Sequence, residues 1–107
     1  MFAAYEVSLE LVRELRGVMT ALRKHDRELA SQLHRAATSI VLNLAEGRDR
    51  CGGDQRHCYE IAAGSAGEVR AALDAAEAWG WPLELARSRV VADKLGGLLY
   101  GLTRRRR

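Results

Sequence analysis

Proline, cysteine and long apolar runs are scarce in this sequence, and each shortage narrows what the chain can be. The single proline stands at position 82, so a helix-breaking ring is confined to one place. The two cysteines, Cys51 and Cys58, sit seven apart with no framework around them. That pattern predicts free thiols in a reducing cytoplasm, not a disulfide scaffold. No apolar stretch approaches the roughly 18 residues of a membrane-spanning helix. The opening Met1–Glu6 segment lacks the basic start and apolar core of a signal peptide. No period of about 20–50 residues repeats, and low complexity is limited to the last four residues.

Catalytic and metal signatures are missing as well. There is no Gly-x-Ser-x-Gly and no phosphate-cradling glycine loop followed by lysine. Ser39 and Ser65 have no obvious partner set of histidine and acid, and no spacing pairs Glu46 with Glu68 as acid and base. Glu-x-x-His, which a di-iron bundle needs on facing helices, does not occur. Cys51, His57 and Cys58 form at most a partial thiolate–imidazole cluster, whereas zinc takes four ligands, usually as close pairs. The expectation is a protein that is not an enzyme and uses no metal or cofactor, with Cys58 a small core residue and His57 exposed.

What is present is helical rhythm. Leu29, Leu33, Ala36, Ile40 and Leu44 recur at spacings of four and three, and Ala37 and Val41 widen the stripe. Asn43 lies beside it, and Gly47 follows it, where a left-handed C-cap would fall. So many small residues predict a central, closely packed helix over 27–46. Asp26 is its N-cap candidate, because a carboxylate accepts from first-turn amides. Before it, Leu11, Leu15, Val18 and Leu22, flanked by Val12 and Met19, predict a helix over 4–24.

After a glycine-containing loop over 48–56, with Asp54 as a cap candidate, a helix is predicted over 55–79. Its seam is Cys58, Ala62, Ala66, Val69, Leu73 and Ala76. Gly64 and Gly67 within it each cost about 1 kcal/mol of helix propensity relative to alanine, which predicts close approach of the neighbouring backbone. Gly80 is a C-cap candidate, and Pro82 suits the first turn of a last helix over 83–102. That helix carries the stripe Val91, Leu95, Leu98 and Leu102. Four apolar-striped helices joined by short links predict an all-α, up-down-up-down antiparallel four-helix bundle over 1–103, followed by a basic tail over 104–107.

The run Arg35-Ala-Ala-Thr-Ser-Ile-Val-Leu-Asn-Leu-Ala-Glu-Gly47 resembles the signature of the 23S ribosomal RNA intervening-sequence proteins, Arg-Ala-Ala-x-Ser-Ile-x-x-Asn-Ile-Ala-Glu-Gly. Ile61-Ala-Ala-Gly-Ser-Ala-Gly-Glu68 is similar to a second motif of that family, in the same order and at similar separation. Leu44 replaces an isoleucine, Asp49 stands where a second glycine is usual, and Cys58 stands where an aromatic is common. The resemblance implies a cytoplasmic four-helix bundle that assembles as a homopentameric ring and associates with nucleic acid. A structurally similar group serves as accessory subunit of a reverse transcriptase, which implies a protein partner as the alternative. Trp79 and Trp81 are candidates for surface hidden on assembly.

Charge supplies the candidate sites. Removing the four terminal arginines from the 17 Lys and Arg leaves 13 against 14 Asp and Glu, so the basic balance belongs to the tail. Residues 13–57 nonetheless hold nine Lys and Arg against six acids, while 60–94 hold four against six. Arg48, Arg50, Arg56 and His57 near the loop, with Arg104 and Arg105 in the tail, are the candidates for phosphate contact; the alternative is that they solubilise the surface. With no stacking-aromatic motif or recognition helix, sequence-specific readout is not expected. Arg35, Asn43, Glu46, Ser65 and Glu68 are expected to form a polar network that sets the register of the two central helices.

Overall fold

Local signals decide where each helix starts and stops, and most act as expected. The computed structural model describes residues 1–104. Among these it contains four helices and no strand: α1 (Ala3–Leu22), α2 (Arg27–Arg48), α3 (Gly52–Trp79) and α4 (Ala86–Thr103). Asp26 caps α2, its Oδ1 accepting from the Leu29 amide at 2.9 Å. Gly80 ends α3 with φ of 80°, the left-handed conformation that disfavours any side chain.

Besides α1, which ends at Leu22 and not at 24, three boundaries differ from expectation, each for a physical reason. α2 runs through Gly47 instead of ending before it, and Gly47 keeps a helical conformation. Its missing side chain serves the Tyr59 ring, which occupies the space a Cβ would fill. α3 begins at Gly52, whose φ of +60° turns the chain, so Asp54 lies in the first turn and caps nothing. There its carboxylate still faces the positive helix end. α4 begins at Ala86, not at Leu83, because the preceding residues hold Trp81, Leu83 and Leu85 against the core.

The core is a single cluster drawn from all four helices. α1 packs on α2 and α4, and α3 packs on α2 and α4, with α2–α3 the most extensive contact. Leu11, Leu15, Leu22, Leu33, Ile40, Leu44, Leu73, Leu95 and Leu99 are fully buried. In α4 the stripe is Val91, Leu95 and Leu99; the expected Leu98 and Leu102 are half-buried beside it. Gly64 and Gly67 do not meet a neighbouring backbone, since a Cβ at either would touch nothing within 4 Å. The buried alanines of the two central helices are instead Ala30, Ala36, Ala37, Ala62, Ala66, Ala72 and Ala76.

The molecule measures 44 × 21 × 20 Å. Stacking of His25 on Trp81 brings the α1–α2 and α3–α4 connections to one end. Contact of Phe2 with Tyr59 places the start of α1 beside the start of α3. α3, with 28 residues, separates these two ends by about 40 Å. No helix among the described residues is long and apolar enough to cross a membrane.

Candidate nucleic-acid interface

The α2–α3 connection is only three residues long, and it is held on both sides. Gln55 donates from Nε2 to the Gly47 carbonyl at 3.1 Å, which also accepts from the Arg50 amide, and to the Arg50 carbonyl in the connection at 2.9 Å. Beneath it, Tyr59 is buried, and burial pushes its phenol above the usual value while Cys58 adds to the rise and Arg48 opposes it.

On this base stand the candidate cations. Arg48 is exposed, with its guanidinium 4.7 Å from the centre of the Tyr5 ring, a cation–π contact that leaves the outer edge of the fork in solvent. Arg50 is bound by the Glu46 carboxylate one turn earlier, whose hydrogen bond is the main reason its pKa is raised. Arg56 and His57 are exposed in the first turns of α3 and join no ion pair among the described residues. Arg104 follows α4 and is exposed; Arg105 lies outside the described residues. Asp49 and Asp54 share this end, so three arginines over 48–57 face two aspartates. One copy therefore offers phosphate a modest net charge, and several copies side by side would be needed for a strong field.

The expected polar network is gathered only in part. Ser65 Oγ donates to Ser39 Oγ at 2.9 Å across α2 and α3, and Asn43 Nδ2 donates to the same hydroxyl at 3.2 Å and to the Ser39 carbonyl at 2.9 Å. Ser65 is buried and its hydroxyl is satisfied. Arg35, Glu46 and Glu68 stand outside this set, all three exposed. Arg35 donates to Ser31 Oγ at 2.9 Å, and Glu46 is taken by Arg50. Arg35 and Glu68 line a groove of about 620 Å³ between α2 and α3, whose polar floor is Ser39 and Ser65. Ser39, the shared acceptor, was not among the residues expected to form the network. Its position four residues before Asn43 on one helix face was the available signal.

Among the described residues, no three His, Cys, Asp or Glu side chains converge as a metal would require. Cys51 is exposed, and Cys58 is half-buried near the Tyr59 side.

A family model described as 23S rRNA-intervening sequence protein matches residues 2–83, which span α1, α2, α3 and the connection after them. No curated protein and no solved structure matches the chain.

Proposed function

Because the chain belongs to the 23S rRNA-intervening sequence protein family, we propose that it is a non-catalytic, homo-oligomeric bundle that binds RNA or another nucleic acid without sequence selection, or scaffolds a ribonucleoprotein. The observation that carries this proposal is the exposed set Arg48, Arg56 and His57 at one short connection, free of ion pairs among the described residues. The short connections fit an up-and-down course of the helices, and a cytoplasmic homopentamer fits the family motifs. A ring would set several such connections around one axis and multiply their charge, which a single copy needs if it is to hold phosphate.

Filter binding to a mixed-sequence RNA at about 50 and 200 mM salt tests the proposal. Affinity should fall steeply with salt, and Arg48→Ala with Arg56→Ala should flatten the dependence. Affinity that is absent, or indifferent to salt, removes the proposal. Solution mass measured together with the 260/280 nm absorbance ratio reports assembly and carried nucleic acid at once.

A second role is that of an adaptor or accessory subunit docked on a protein such as a reverse transcriptase, through exposed apolar residues such as Leu42 on α2 or Val90 and Tyr100 on α4, with the basic residues incidental. Co-purification from native cells separates the two. A protein partner that survives nuclease treatment supports the adaptor, and a partner released by nuclease supports nucleic acid as the bridge.

A further inference from the structure

The end of the molecule remote from the α2–α3 connection carries three parallel aromatic rings. The imidazole of His25 stacks on the Trp81 indole at 5.4 Å between centroids with 13° between planes. Trp81 in turn stacks on Trp79 at 6.0 Å and 12°. Both spacings lie in the range of offset aromatic stacking. Gly80, in its left-handed conformation, ends α3 between the two indoles. Trp81 is half-buried and packed on the core, which anchors the ladder, while Trp79 is 71% exposed at its rim.

An indole held this far in water, against a partner that keeps it oriented, costs the fold solvent-exposed apolar surface. It also presents a flat π-face on which a further ring can continue the stack. The surroundings say which kind of ring. Arg23, Lys24 and Arg27 flank His25, are all exposed, and join no ion pair among the described residues. Of the nearby acids, Glu77 is paired with Arg89, Asp26 accepts from a neutral amide in the α2 cap and keeps its charge, and Glu28 and Glu84 are exposed. A rigid aromatic step beside exposed cations that join no ion pair among the described residues matches a planar base on a polyanionic backbone.

We propose that the His25–Trp81–Trp79 ladder is a stacking platform for unpaired bases of single-stranded nucleic acid, with Arg23, Lys24 and Arg27 holding the adjoining phosphates. This rests on the nucleic-acid reading above but assigns a separate surface, about 40 Å from the α2–α3 connection. Because every base has a π-face, the platform discriminates single strands from duplexes and not one sequence from another.

Trp79 and Trp81 are the only two tryptophans, so tryptophan emission, excited at the red edge where the three tyrosines do not absorb, reports on this platform alone. An oligoadenylate of about 12 nucleotides, within the usual span of such sites, should quench the emission of the full chain. An abasic oligomer of equal length and a duplex should not, at equal phosphate concentration. Trp79→Ala, with helicity checked by circular dichroism, should weaken oligoadenylate binding by roughly 5- to 150-fold, the loss of one base–aromatic stack. Quenching equal with the abasic oligomer, or unchanged affinity in Trp79→Ala, overturns the platform. If binding then still falls with Arg48→Ala, the basic-connection reading survives alone; if nothing binds under any condition, both fall. A drop in solution mass on Trp79→Ala without loss of oligoadenylate affinity also overturns the platform, and marks the ladder as a contact between copies of the chain.

Discussion

Gly47→Ala is the perturbation that most directly tests how α2 and α3 close. Inside a helix, replacing glycine by alanine normally stabilises by about 1 kcal/mol, because the backbone of glycine has more freedom to lose. Gly17 in α1 sets the reference: a Cβ there meets nothing within 4 Å, so Gly17→Ala should gain that amount. At Gly47 the same Cβ would lie 2.6 Å from Tyr59 Cε1, 2.9 Å from Cδ1 and 3.0 Å from Cys58 Cβ. Neither neighbour yields easily. Tyr59 is 7% exposed and its ring lies against Phe2, while a Cβ moves only with its own backbone. The start of α3 must therefore shift, and overpacking of this kind costs about 1–3 kcal/mol.

The propensity gain is common to both variants, so their difference isolates the clash at about 1–3 kcal/mol. For a domain near this length that corresponds to Gly47→Ala melting roughly 5–20 °C below Gly17→Ala. Thermal unfolding followed by circular dichroism at one fixed protein concentration measures it, since assembly would otherwise move the midpoint. In a Tyr59→Leu background the deficit should shrink, because the ring that forbids the methyl is gone. If Gly47→Ala melts as high as Gly17→Ala in both backgrounds, the tight seat of the ring on α2 is refuted.

Further outcomes follow from the caps, the hydroxyl pair and the buried phenol. Asp26→Ala should cost about 1 kcal/mol by urea unfolding, the usual loss of an N-cap acceptor, and Asp26→Ser should restore most of it. Ser39→Ala should cost more than Ser65→Ala, about 1–3 against roughly 1 kcal/mol, because it strands the buried Ser65 donor, whereas Ser65→Ala leaves the Ser39 hydroxyl with Asn43; equal costs would separate the two serines energetically. Burial raises the Tyr59 pKa above 10.0, so the folded chain holds its proton longer than the unfolded chain. That contribution is undiminished below about pH 10 and is lost as pH rises toward the folded value, so the melting temperature should fall over this window and fall less in Tyr59→Phe.

The chain itself determined the four helices, the N-cap at Asp26, the left-handed stop at Gly80 and most of the buried stripe. Each of these depends on residues within about one helical turn of one another, where periodicity and capping act. The same local signals misplaced Gly47, because a glycine that ends a helix and a glycine that makes room for a ring look alike until the ring is in place. Ser39 was visible as a motif residue, but its bond to Ser65 spans 26 residues and exists only once α2 lies against α3. Arg35, Glu46 and Glu68 could be assigned to the central helices but not to a face, since a long side chain beside the stripe can turn inward or outward. The ladder was the least legible feature. Trp79 and Trp81 are near neighbours in the chain, but His25 joins them from a different connection. Tertiary closure alone decided which side chains from distant turns share one end, because that depends on how the helices pack and not on the order in which they are written.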